Sequence, residues 1–406
     1  MTATTERPHP SHYEDQPSTS RWNGVASLAL GIFIIVTSEI LPIGLLDPIA
    51  SDFHVSPGAG GLLMTLPGLT AAVSAPLATI ATARFDRRAM LALFLAILAL
   101  ANLTAAVAPT FWLILLGRTL TGLVIGGYWS IGVGLSPRLV RGASVSTATA
   151  LVFAAVPVGS VIGVPLGTLL GHEFGWRAPF ALLCGLSAAV SVALLRTLPP
   201  LPTLQATSGK LLASLLRERG TGVRTALLLT TLIVIAHFGA YTYIAPFLHD
   251  TTGISESSIS ICLLIYGVAG IIGTIIASRT LNHSLRTTFT ASATLIAAAA
   301  LLLPLLGENK AGALALLLAW GLAYGAIPAS SKTWFTQASP HSPEAAGVLF
   351  TASFQATLAL GALLGGRVVD ASSPRVVMVC AGSLALLAAA VAGIARPPGA
   401  TRDDRK

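Results

Sequence analysis

Charge is scarce in this sequence. Of 406 residues, 10% are Asp, Glu, Lys or Arg, against about 25% in an ordinary soluble domain. That leaves too little polar surface to solvate a compact protein of this size and excludes most soluble folds. With 54% hydrophobic residues and a mean hydropathy of +0.79, the chain also lacks the composition of a disordered protein, which needs high charge and low hydropathy. Cysteine is rare as well: Cys184, Cys262 and Cys380 lie singly inside apolar runs. Such spacing supplies neither a disulfide framework nor a metal site, so the three read as small buried hydrophobes. Motifs for chemistry are missing too. No Walker P-loop, His-Glu-x-x-His pair or Gly-x-Ser-x-Gly elbow occurs. No cofactor or metal is implied, and an enzyme is not expected.

What the chain does have is long apolar runs. A helix crosses the hydrocarbon core with about 20 apolar residues. Twelve runs qualify, at 24–47, 58–83, 89–108, 112–135, 143–170, 178–197, 224–248, 258–280, 287–306, 311–335, 345–368 and 376–395. The expected fold is an all-α integral membrane protein of twelve spans. Residues 1–22, polar and rich in Pro, Ser and Thr, read as a disordered tail. They lack the basic start and short apolar stretch of a signal peptide, so the first span is expected to stay as a helix.

The net charge of +8 is placed at span ends, not in a nucleic-acid-binding patch. With both termini in the cytoplasm, 18 of the 24 basic residues fall on that side, as the positive-inside rule requires. A multi-pass protein of the cell membrane follows. Residues 199–223 form a cytoplasmic linker between six spans (23–198) and six more (224–396), and 397–406 form a cytoplasmic tail. The linker's amphipathic basic stretch, Lys210–Arg219, suits either the anionic inner leaflet or a simple solvated connection.

The two sets of spans repeat. Shifting the sequence by 198 places Pro48 on Pro246, Asp52 on Asp250, Arg88 on Arg286, Gly163 on Gly361, Gly167 on Gly365 and Arg177 on Arg375. One further residue of shift places Gly122 on Gly321 and Gly126 on Gly325. The recurrence predicts two pseudo-symmetric six-helix bundles with parallel repeats.

Few residues inside the spans can carry chemistry. Glu39 is the one acid near a span centre. A charge there costs about 2.5–3.5 kcal/mol on insertion scales, so it must face a cavity, find a partner or hold a proton. It is a candidate proton carrier, with a structural hydrogen-bonded carboxyl as the alternative. His237 occupies the repeat-equivalent position in span 7. Imidazole titrates near neutrality, although a lone histidine in a helix is also a common buried polar group. Arg118 lies about two turns inside span 4; always charged, it must be paired or hydrated, and serves either to modulate the carboxylate or to bridge helices. Lys332 sits where it can snorkel to the interface. The interior aromatics Tyr128, Trp129, Tyr241, Tyr243, Trp320 and Tyr324 all lie on spans 4, 7 and 10, as Tyr266 on span 8 does not. One cavity that stacks on a planar molecule would explain this, and so would ordinary helix packing. In span 5, Gly159, Gly163 and Gly167 recur every four residues, with Pro157 just before them and Pro165 between the last two, letting another backbone approach and bending the helix.

These residues together resemble the major facilitator superfamily, in its 12-helix drug:proton antiporter branch. Phe85-Asp86-Arg87-Arg88 is similar to a shortened form of that family's loop after span 2, lacking the leading glycine and the full spacing. Arg118-x-x-x-Gly122 is similar to the span-4 motif, whose arginine the family links to proton transfer, and Gly159-x-x-x-Gly163-Val-Pro165-x-Gly167 to the span-5 antiporter motif. The stretch from Glu39 through Pro42 and Pro48 to Asp52 resembles the span-1 pattern of bacterial arabinose-efflux-like and purine ribonucleoside efflux permeases. The resemblance implies a proton-coupled exporter of a small molecule such as a drug, nucleoside or sugar-like metabolite, working by alternating access, and nothing in the sequence demands more than a monomer. It assigns gating to Asp86, Arg87, Arg88 and the span-5 motif. An importer by proton symport and a non-transporting membrane sensor are the competing readings.

Overall fold

A computed structural model describes residues 21–395, apart from 83, 133, 134, 136, 137, 142, 143, 203–220, 341 and 342. The terminal tails up to residue 20 and from 396, and the basic stretch Lys210–Arg219, lie outside the described residues. Twelve helices are long and apolar enough to cross a membrane: α1 (Trp22–Ile43), α2 (Pro57–Ala78), α3 (Arg87–Ala106), α4 (Phe111–Gly132), α5 (Thr147–Phe174), α6 (Arg177–Thr197), α7 (Gly222–Tyr241), α8 (Ser258–Thr280), α9 (Leu285–Leu306), α10 (Lys310–Ala338), α11 (Ala346–Ala371) and α12 (Pro374–Ile394). No strand occurs among the described residues. Helix is the conformation expected of such runs, because in lipid every backbone N–H and C=O must be satisfied within the segment. Large apolar side chains such as Val73, Leu77, Ile272, Ile275 and Leu386 point outward, as a lipid-facing surface allows.

The apolar interior falls into two clusters. One is built from residues 25–201 and the other mainly from 226–392, with Ile43, Leu46, Met64 and Val164 reaching across. The repeat is visible in detail. Arg88 donates to the Leu195 carbonyl on α6, and Arg286 donates to the Gly393 carbonyl on α12. Both donors and both acceptors are 198 residues apart. The equivalent Arg177 and Arg375 both form ion pairs but with partners that the repeat does not match, Asp52 at 2.9 Å and Glu308 at 2.8 Å.

Spans 1 and 7 end sooner than the hydropathy predicts. α1 tightens into a 3₁₀ turn at Leu41–Ile43, followed by a short helix, Leu46–Asp52. α7 stops at Tyr241, followed by Ile244–Asp250. The short helices are again offset by 198. Pro48 and Pro246 stand in their first turns, where a missing N–H is tolerated but cannot continue the preceding helix.

Since the chain alternates direction, the α1–α2 and α11–α12 turns lie at the end opposite the linker, here the far end. There the halves are joined. Asp370 accepts from the Ser56 hydroxyl (2.7 Å) and the Gly58 backbone N–H (2.9 Å). The Tyr243 hydroxyl donates to the Ala362 carbonyl at 2.8 Å, wedged where a Cβ on Gly61 or Gly366 would overlap it. At the linker end, the exposed Lys332 does more than snorkel: its Nζ lies 5.0 Å from the centroid of the Phe153 ring on α5, in the other half.

Candidate functional site

Two prolines prepare the site. Pro42 has no N–H to offer the Ser38 carbonyl one turn back, and Pro67 has none for Leu63. Stranded carbonyls in a membrane interior must find another donor. Arg118 supplies it. Its Nη1 donates to the Ser38 carbonyl at 2.6 Å, its Nη2 to the Glu39 carbonyl at 2.7 Å and its Nε to the Leu63 carbonyl at 2.7 Å. The guanidinium is 2% exposed. It therefore bridges α1, α2 and α4 through the main chain while lying close enough to interact electrostatically with the Glu39 carboxylate. Of the two expected roles, helix bridging is the one its hydrogen bonds carry out.

The Glu39 side chain turns away from that clamp, toward the other half. Its Oε1 accepts from Gln355 Nε2 on α11 at 2.9 Å, with both residues buried. Tyr324 on α10 is within electrostatic reach of the same carboxylate. The glycine face of α5 seats α1 from behind. A Cβ on Gly163 would overlap Thr37, and one on Gly167 would overlap Leu41. The Gly159 carbonyl accepts from the Thr37 hydroxyl at 3.4 Å. Gly159–Gly163 form a π turn just ahead of Pro165, a local widening that often marks functional helices. The motif thus positions the helix that carries Glu39.

His237 stands in a column of rings. Tyr324 lies over it with centroids 3.4 Å apart and planes 8° from parallel. Tyr241 stacks on it at 5.1 Å, and Tyr266 on Tyr241 at 4.5 Å. Trp320 Nε1 donates to His237 Nδ1 at 3.1 Å. That bond makes Nδ1 an acceptor and leaves the ring's proton on Nε2. The Tyr266 hydroxyl is buried without a partner, a polar atom open to an additional ligand.

The structure does not gather all the expected aromatics. Tyr128 is fully buried in the N-terminal cluster, its hydroxyl 3.3 Å from the Leu28 carbonyl it donates to. Trp129 packs half-buried against the same cluster. Tyr243 belongs to the far-end seal. The reason is helical phase: Tyr128 faces α1, and the break after Tyr241 turns Tyr243 away from the column. The rings brought together are Tyr241, Tyr266, Trp320 and Tyr324 around His237. Asp86, Arg87 and Arg88 form a third group, at the linker end. Asp86 caps α3 through the Arg88 N–H (2.8 Å) and accepts from the Leu201 N–H, while Arg87 donates to the Thr82 hydroxyl at 2.9 Å. Each of these bonds stays within the first half. Gln355 escaped the sequence reading, which weighed ionisable groups and rings but not a lone amide in an apolar span.

Comparison with known proteins gives one answer for the fold. The sequence profile of the Major Facilitator Superfamily matches residues 28–352. The transcription regulatory protein OpdE of Pseudomonas aeruginosa is 32% identical over 381 residues, covering 93% of this chain and 94% of OpdE. The purine ribonucleoside efflux pump NepI of Salmonella typhimurium is 31% identical over 377 residues, covering 93% and 94%. The nucleoside transporter NupG superposes with a TM-score of 0.77 at 15% identity, over 91% of this chain and 98% of that one. An inward-facing bacterial homologue of the human lysosomal transporter Spinster superposes at 0.73, with 16% identity over 93% and 97%.

Proposed function

The chain belongs to the Major Facilitator Superfamily and is a membrane transporter, and on that premise we propose that it exports a small planar metabolite of nucleoside type in exchange for protons. The observation that carries this reading is the juxtaposition of one buried mid-helix carboxylate, Glu39, with the ring column around His237. A carboxylate can bind a proton or a ligand's N–H or O–H donor. A column of parallel rings can hold a purine by stacking, worth about 1–3 kcal/mol per base. The similarity to NepI over nearly the whole chain supports the choice of substrate class and of export.

The linker end faces the cytoplasm in this reading, with the termini, because 18 of 24 basic residues then lie inside. Glu39 accepts a proton from outside, the halves rock, and the proton leaves to the cytoplasm as substrate binds. His237, with its proton held on Nε2 by Trp320, presents a hydrogen-bond donor to the ligand rather than carrying charge. Trp320→Phe keeps a ring and removes that constraint, so substrate affinity should fall about threefold to tenfold, the worth of one neutral hydrogen bond. Equilibrium binding of a labelled purine nucleoside to purified protein measures this, and unchanged affinity would assign Trp320 to packing alone.

The whole reading is tested in everted membrane vesicles. A labelled purine nucleoside should accumulate when the lumen is acidic and escape when a protonophore collapses the gradient. Failure of every nucleoside to accumulate, or accumulation indifferent to the gradient, would leave the reading without support. Counterflow of labelled nucleoside in proteoliposomes separates transport of this substrate from a purely regulatory role of the kind named for OpdE.

A further inference from the structure

We propose that Gln355 is the positioning residue through which the ionised Glu39 carboxylate holds the two halves shut toward the far end, so that an empty, deprotonated carrier cannot reopen there. This rests on the reading of Glu39 as the proton carrier and adds to it the part that senses the proton. Three observations carry it. The Gln355 Nε2 to Glu39 Oε1 bond joins residues 316 apart in sequence, on α11 and α1, and is buried on both sides. The bond springs from a point where α11 meets α2 backbone to backbone: a Cβ on Gly68 would lie 2.8 Å from the Gln355 main-chain carbonyl oxygen. Further along the same helix α11, Asp370 grips Ser56 and the Gly58 N–H. α11 is therefore tied to the first half at two levels, one exposed and one buried beside the proposed proton site.

The chemistry of the buried tie depends on the proton. An ionised carboxylate accepts the amide N–H in a charge-assisted bond, about twice as strong as a neutral one. A protonated carboxyl is a poorer acceptor, and its own O–H competes for partners. The groups facing Glu39 are few. α4 presents Arg118, already committed to three carbonyls; α10 presents Tyr324; α11 presents the uncharged Gln355; the α5 glycines pack on the Thr37 and Leu41 side of α1 instead. None of these supplies a charge-assisted bond in its place when Glu39 takes a proton, so the tie weakens to a neutral one. A substrate N–H or O–H donor aimed at the same carboxylate would displace the amide. Proton and substrate thus each loosen the tie, and the empty deprotonated carrier keeps it, which is the condition for exchange without leakage.

The test follows the opening of the far end directly. Spin labels on cysteines placed at Thr110 and Lys310, exposed far-end positions in opposite halves, report the distance between halves. The three native cysteines are replaced, and the full chain is reconstituted in lipid nanodiscs without substrate. Between about pH 9 and about pH 5, the ratio of far-end-open to far-end-closed wild type should rise about tenfold or more, the worth of a hydrogen bond to a charged group. Gln355→Met, similar in volume but without a donor, should be more open at every pH, with the pH response reduced to about twofold or less. Gln355→Asn, whose amide is one methylene too short, should behave alike and serves if the Met variant folds poorly. If both Gln355 variants keep the wild-type response while Glu39→Gln loses it, Gln355 only packs and the proton reading of Glu39 stands. If wild type and Glu39→Gln respond identically, the proposal and the proton reading fall together.

Discussion

Glu39→Gln is expected to abolish proton-driven export while leaving substrate exchange at equal pH intact. The amide keeps the size of the carboxyl and can still bond to Gln355, so the fold is spared. What it cannot do is titrate. One pH unit across the membrane is worth about 1.4 kcal/mol per proton, so a one-for-one exchanger accumulates substrate about tenfold against it. In the variant that accumulation should fall to none. Exchange of labelled for unlabelled substrate moves no net proton and should continue. His237→Asn should be milder, lowering affinity without severing the link to the gradient. Gradient-driven uptake and equal-pH exchange, measured on the same proteoliposomes, separate the two. Should Glu39→Gln still concentrate substrate tenfold, the proton travels by another route and Glu39 is a structural carboxyl.

Arg118→Ala carries the second large expectation, and here the loss is in folding. Removing the guanidinium strands the carbonyls of Ser38 and Leu63, whose helical donors Pro42 and Pro67 have already removed, and leaves the Glu39 charge without its nearest cation. Breaking a buried charged interaction from one side costs about 3–5 kcal/mol. The thermal midpoint of the detergent-purified variant should drop sharply. Arg118→Lys is the informative control. It restores the charge but not the planar fork that reaches three carbonyls, so it should recover less than half of the lost stability. Full recovery by lysine would mean that charge alone is needed at this position and that the clamp is incidental.

Much of this was legible beforehand because it depends on local properties. Long apolar runs reported the twelve helices, and an offset of 198 residues reported the pairing of the two halves, but not the breaks that set off the short helices 46–52 and 244–250. The sequence reading saw that Arg118 must be paired or hydrated, but the carbonyls left by Pro42 and Pro67, and one arginine reaching both helices, emerged only from the fold. What stayed hidden depends on direction and long-range pairing. Tyr128 and Trp320 look alike as aromatic residues inside spans, yet one faces the packed interior of the first half and the other bonds His237. Which way a ring points depends on a helix's rotation, and an apolar helix buried on several sides leaves that rotation unmarked. Gln355 needed its partner 316 residues away before it meant anything.

The prolines of α1 and α2 look like ready hinges, since each removes a rung of its helix's hydrogen-bond ladder. The Arg118 side chain removes that freedom. Flexing α1 at Pro42 would strain the Ser38 and Glu39 carbonyls off the guanidinium, and flexing α2 at Pro67 would strain off Leu63, so both helices are tied to one side chain. α1, α2 and α4 are thereby pinned to one another at this point, so a rearrangement of the halves is expected to find its play at the seam between α1 and α11, where a buried side-chain bond crosses, and not at the prolines.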